Sequence, residues 1–197
     1  MTAPPFVGLT GGIGAGKSEA LAALERLGAS VISTDKVVHE LYADPEVIAA
    51  VVERWGAEVA PDGVVDRSAI ARRAFADDAE RHFLESLLWP RVGARVAQWR
   101  EDEAAKGPRA LIVETPLLFE AGLDGNYDAT IAIVADEAVR AQRAAVRGHA
   151  ALDESTARQL PQAEKAARAT YAVENSGSLR DLQQELSGVL AKLSLRS

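Results

Sequence analysis

Apolar positions along the chain alternate between short unbroken runs and stripes at helical spacing. The runs are Phe6–Leu9, Val31–Ile32, Ala110–Val113 and Ala129–Val134, with Tyr171–Glu174 as a candidate fifth strand. Continuous apolar runs of this length are what strands buried on both faces require, as in a parallel sheet covered by helices. Between and after them, Ala20, Leu21, Leu24 and Leu27 recur at helical spacing, and Leu179, Leu182, Leu186, Leu190 and Leu193 stripe a final helix. Gly28 stands where a helix C-cap belongs, and Asn175-Ser176-Gly177 reads as a turn. The pattern predicts an α/β fold: a parallel sheet flanked by helices.

One long stretch departs from this alternation. From Pro45 to Ala105 no core strand is legible, and the spacing predicts helices over Val47–Trp55, Ser68–Phe75, Ala79–Leu88 and Arg91–Ala105, with Pro61-Asp62-Gly63 as a turn. A short βα crossover does not need so long an excursion, so we read it as a helical subdomain for a second substrate. Trp55, Phe75, Phe83, Trp89 and Trp99 are its expected small core. Gly148 to Gln159 carries turn signals before a helical stretch from Pro161 to Ala169, a pattern that suits a lid. The expected division is a core over about 1–44, 108–147 and 169–197, a helical subdomain over about 45–107 and a lid over about 148–168.

Composition narrows the class. At 197 residues the chain fits one domain with an inserted subdomain, and the absence of Cys excludes disulfides, thiolate metal sites and a cysteine nucleophile. The expectation is a soluble, unexported, cytoplasmic protein: the first residues lack the basic-then-apolar pattern of an export signal, and no run reaches membrane-span length. The formal charge of −7 speaks against a nucleic-acid or anionic-membrane surface. Between Arg140 and Arg168, however, six basic residues face three acidic ones, a local +3 that suits a compact polyanion such as a nucleotide.

The candidate chemistry begins at Gly11-Gly12-Ile13-Gly14-Ala15-Gly16-Lys17-Ser18, between the first strand and the first helix. Glycines here let backbone N–H groups turn inward on a phosphate, and the following helix adds the positive end of its dipole. Lys17 can reach the outer phosphates of a nucleoside triphosphate, and the Ser18 hydroxyl can ligate the accompanying Mg²⁺. Asp35 follows the second strand, where it either orients an attacking hydroxyl or caps a helix beginning at Lys36. Glu114 ends the third strand, near a metal's water shell or as a structural carboxylate. Asp136 reads as the cap of a helix on which Arg140, Arg143 and Arg147 share one face, open to a phosphate or to solvent. His39, His82 and His149 form no metal-ligand spacing.

Taken together, the motifs resemble those of the dephospho-CoA kinases. Val7 through Ser18, Asp35, Asp62-Gly63 with Asp66-Arg67, Pro116-Leu117-Leu118-Phe119-Glu120, Arg143 with Arg147, Gln159 through Lys165, and Asn175 with Gly177 stand in that family's order and span nearly the whole chain. The resemblance implies a phosphate-loop core, a helical CoA subdomain and a lid, with ATP and Mg²⁺ as cofactors and dephospho-CoA as phosphoryl acceptor. It makes Asp35 the general base, Gly12, Ile13, Gly14, Ala15, Gly16, Lys17 and Ser18 the ATP phosphate site, Arg143 and Arg147 the lid-side arginines, and Asn175 a residue near the adenine. Lys17 and Arg143 join Asp35 as the catalytic set. The chain departs from the family pattern at Ser33, where a first carboxylate is often found, at Trp89 in place of His, at Arg140 in place of Gln, and at Thr170 in place of Asp. The lid arginine usually found a turn before Gln159 is absent, with Arg158 adjacent to it instead. The rivals are another small-molecule kinase of the same architecture and a nucleotide switch; neither Asn-Lys-x-Asp nor Asp-x-x-Gly, the guanine-switch tetrapeptides, occurs.

Overall fold

The computed structural model describes residues 3–146 and 159–195. They divide into two compact units, Met1–Ser33 with Arg100–Ser197, and Thr34–Trp99.

The first unit is built on a parallel sheet of five strands, β1 (Phe6–Gly11), β2 (Ser30–Ser33), β3 (Leu111–Glu114), β4 (Ala129–Val134) and β5 (Tyr171–Glu174), in the order β2-β3-β1-β4-β5. Alternation along β1 decides what each face meets. Val7 and Leu9 join a core with Ala20, Ala23 and Leu24 of α1 (Lys17–Arg26), and with Leu182, Leu186 and Leu190 of the C-terminal helix. Gly8 and Thr10 point the other way. A Cβ on Gly8 would come within 2.5 Å of Leu118 and 2.8 Å of Tyr127, so only glycine lets these side chains lie on the strand. The central strands β1, β3 and β4 are thus covered on both faces, which explains their nearly continuous apolar runs. Leu179, read as part of the final stripe, is exposed at the helix start, where Ser178 and Asp181 form a capping box.

The second unit is helical: α2 (Thr34–Leu41), α3 (Pro45–Trp55), α4 (Arg67–Ala74) and most of α5 (Asp78–Ala104). Asp44 and Asp66 cap α3 and α4 through their side chains. Trp55 meets Phe83 edge-on at 5.3 Å between centroids and donates its indole N–H to Glu80, over a core that includes Val51, Ile70 and Ala74. Two expectations are corrected. Phe75 and Trp89 are 40% and 55% exposed and lie outside this core. Nor does the helix break at Trp89-Pro90: α5 runs through Pro90 as one element of 27 residues. Proline removes one backbone donor, the one that would have served the Ser86 carbonyl; just beyond it the Arg91 guanidinium donates to the Leu87 carbonyl at 2.9 Å.

Beyond β4 the first unit continues with α6 (Glu137–Val146), α7 (Gln162–Arg168) and α8 (Leu179–Ser194). No helix among the described residues is long and apolar enough to cross a membrane.

Candidate active site

β1 ends at Gly11 and α1 begins at Lys17, so five residues carry the chain from the sheet into the helix. The Ala15 N–H donates to the Gly12 carbonyl at 3.2 Å and closes the turn. Gly14 and Gly16 sit at φ +75° and +90°, where L-residues are strained, and neither has room for a side chain. A Cβ at Gly14 would meet the backbone of Arg140, and one at Gly16 would meet the side-chain amide of Asn175. The loop is therefore pressed against α6 and against the residue that follows β5.

Side chains from those elements hold its backbone. Asn175 is 2% exposed; its Nδ2 donates to the Ala15 carbonyl at 2.8 Å, and its own N–H donates to Val134 at 2.8 Å. The Asn175 carbonyl in turn accepts from Arg143 Nη1 at 2.9 Å, which sets that guanidinium beside Gly16. Arg140 donates from Nε to the Ile13 carbonyl at 3.0 Å and from Nη1 to Glu137 at 2.8 Å. Lys17 folds its ammonium back to the Gly11 carbonyl at 3.0 Å. Three cations thus gather on a loop whose amides and following helix dipole already favour anions, and a polyphosphate is the ligand such a field selects. Ser18 is exposed at the first turn of α1.

At the neighbouring strand ends, Ser33 and Glu114 are register partners across β2 and β3. The Ser33 hydroxyl donates to Glu114 Oε2 at 2.5 Å, and both residues are buried. Asp35 lies two residues beyond Ser33, inside the first turn of α2; the helix starts at Thr34, so Asp35 is not the cap of a helix beginning at Lys36. Arg147 lies outside the described residues.

The sequence reading assigned no role to Lys165, which is fully buried beneath the same strand ends. Its ammonium donates to the Pro116 carbonyl at 2.6 Å and to Thr10 Oγ1 at 3.5 Å, and pairs with Glu120 Oε1 at 2.9 Å. Burial pushes the Glu120 carboxyl up, but hydrogen bonds from Lys165 and from the Glu120 and Leu160 amides outweigh it and hold the group below the ordinary carboxylate range. Gln162 grips Ala135 from both sides, donating to its carbonyl at 2.7 Å and accepting from its N–H at 3.2 Å. These contacts place α7, read as the end of a lid, on the sheet itself.

Mg²⁺ fits these residues as a companion of the nucleotide. Among the described residues no group of three or more His, Asp or Glu side chains could hold a metal ion. Mg²⁺ commonly takes most of its ligands from substrate phosphates and water, and the exposed Ser18 leaves room for such a shell.

A parallel sheet with a glycine-rich loop at the end of its central strand, running into a helix that opens with Lys-Ser, defines a nucleotide-binding protein of the phosphate-loop class. The dephospho-CoA kinase family model matches residues 5–181. A dephospho-CoA kinase of Deinococcus radiodurans is 35% identical over 197 residues, covering 98% of this chain and 95% of the relative. One from Moorella thermoacetica is 39% identical over 180 residues, covering 88% and 85%. Among solved structures, a Thermus thermophilus protein superposes with a TM-score of 0.74 at 32% identity over 98% of this chain and 99% of that one. A Campylobacter jejuni dephospho-CoA kinase, at 22% identity and a TM-score of 0.64, shares the fold over 98% of both chains. The chain belongs to the dephospho-CoA kinase family and is an ATP-dependent phosphotransferase.

Proposed function

We propose that the protein transfers the γ-phosphoryl group of ATP to the ribose 3′-hydroxyl of dephospho-CoA, giving CoA and ADP, the closing step of coenzyme A biosynthesis. The observation that carries this reading is the family match over residues 5–181, which includes the braced phosphate loop and all of the helical unit. Fold alone would also admit a sugar or nucleotide kinase.

In this reading the amides of Gly12 to Gly16 hold the β- and γ-phosphates, and Lys17 and Arg143 offset charge on the phosphoryl group as it moves. Asp35 orients the acceptor hydroxyl and takes its proton. The hydroxyl oxygen bonds to the γ-phosphorus as the bond from that phosphorus to the β–γ bridging oxygen breaks, and ADP leaves with that oxygen. In a loose transition state, holding the hydroxyl in line counts for more than early deprotonation. The Ser18 hydroxyl would help to hold Mg²⁺ on the nucleotide, and the ion would supply charge neutralisation for the phosphates. The helical unit, Thr34–Trp99, supplies acceptor binding, and Arg147 adds a further cation for ATP. A composition without Cys and without a membrane-spanning helix among the described residues supports a cytoplasmic setting.

The test is ADP release with ATP and Mg²⁺ against a panel of acceptors. Dephospho-CoA should raise the rate far above the rates with nucleoside monophosphates and shikimate. Strong turnover with a monophosphate and none with dephospho-CoA would replace the reading.

A further inference from the structure

A lysine with no exposed surface is uncommon, because an ammonium loses its hydration on burial and must recover it from acceptors. Lys165 recovers it from three: the Pro116 carbonyl, Thr10 Oγ1 and Glu120 Oε1. For stability alone, a buried ion pair is often no better than an apolar pair of similar volume. Its location is the informative feature. Thr10 directly precedes Gly11, and its hydroxyl donates to the same Pro116 carbonyl at 3.1 Å. Pro116 lies two residues beyond Glu114 at the end of β3, and Glu120 also receives the Leu160 N–H at 2.8 Å. The single ammonium therefore joins the strand leading into the phosphate loop, the segment after β3 and the approach to α7.

We propose that Lys165 is a positioning residue for nucleotide binding and phosphoryl transfer, acting through Thr10 and Pro116 to fix the stem on which the phosphate loop stands. The inference rests on the phosphoryl-transfer reading only for its catalytic half; its effect on nucleotide affinity is independent of the acceptor. With the ammonium gone, Thr10 and Pro116 lose their common anchor, and the loop amides no longer converge on one triphosphate geometry. Preorganised dipoles are effective because they need no rearrangement, so loosening the stem weakens binding and transfer without altering a group that touches ATP.

The experiment compares wild type with the double variant Lys165→Met/Glu120→Gln, which leaves no lone buried charge and keeps an acceptor for the Leu160 N–H. Calorimetric titration with ATP and Mg²⁺, without acceptor, reads affinity and the fraction of binding-competent molecules; kcat with saturating ATP and dephospho-CoA reads transfer. The expected result is cooperative unfolding with ATP affinity and kcat each at least tenfold lower. Should the double variant not fold, Thr10→Val removes the linking hydroxyl at nearly constant volume and should weaken ATP at least threefold. Wild-type affinity and kcat in a folded double variant, or wild-type affinity in Thr10→Val, would overturn the proposal. A wild-type protein that makes no CoA while these variants still lose ATP affinity would remove the activity reading and leave the positioning role standing.

Discussion

Ser33 and Glu114 face each other at the C-terminal ends of β2 and β3, joined by a hydrogen bond of 2.5 Å from the hydroxyl to the carboxylate. A second carboxylate at position 33 would instead set two like charges side by side in a buried site. Ser33→Ala should lower stability by about 2 kcal/mol, the usual scale for a lost hydrogen bond to a charged group. Ser33→Asp should cost more in the absence of Mg²⁺. Thermal unfolding of both variants with and without Mg²⁺ checks the order; an Asp variant as stable as wild type in metal-free buffer would contradict it.

Lys17→Ala should lower phosphoryl transfer by at least ~10²-fold, about 2.7 kcal/mol of barrier, if the ammonium stabilises charge on the moving group. Steady-state kinetics at saturating substrates measures this. Full activity would remove Lys17 from the mechanism.

Asp35→Asn should depress turnover far more than ATP affinity, since the carboxylate is assigned to the acceptor hydroxyl. Comparing kcat with the dissociation constant for ATP separates the two effects. Loss of ATP binding with turnover retained would move Asp35 to the nucleotide site or the fold.

Much of this arrangement was legible in the sequence, and the exceptions have physical causes. The phosphate loop was readable because it combines a backbone constraint, φ above zero at Gly14 and Gly16, with a required strand before it and helix after it. The central strands β1, β3 and β4 were readable because burial along almost their whole length leaves nearly continuous apolar runs. Lys165 was not readable as a core residue: lysine ordinarily marks solvent, and its acceptors lie 45 to 155 positions away in the chain. Asn175 was placed near the adenine by resemblance alone, whereas the structure commits its amide nitrogen to Ala15, a contact across 160 positions that no local pattern encodes. Pro90 misled for the opposite reason, since a local rule about helix breaking does not hold in a helix that runs on through it.

Asn175→Ala would leave the Ala15 carbonyl without its buried donor. The expected cost is about 1–3 kcal/mol of stability together with weaker ATP binding. Calorimetry with ATP and thermal unfolding test both; unchanged ATP affinity would show that the loop holds its shape without this brace.

The Glu120–Lys165 pair gives the fold a defined acid sensitivity. Glu120 binds its proton less readily folded than unfolded, so its contribution is present above the unfolded carboxylate value of about 4.3 and is lost as pH falls through the lower folded value. The stability gap between wild type and Glu120→Gln should be widest near neutral pH and shrink in acid. A gap that stayed constant down to about pH 2 would contradict the lowered folded value.

The most direct measurement is product formation itself: purified protein with ATP, Mg²⁺ and dephospho-CoA, the products followed by phosphorus NMR. The account predicts a new phosphomonoester on the ribose 3′ position, appearing in step with ADP. ADP released without that phosphomonoester, or no reaction while shikimate or a nucleoside monophosphate is phosphorylated, would contradict it.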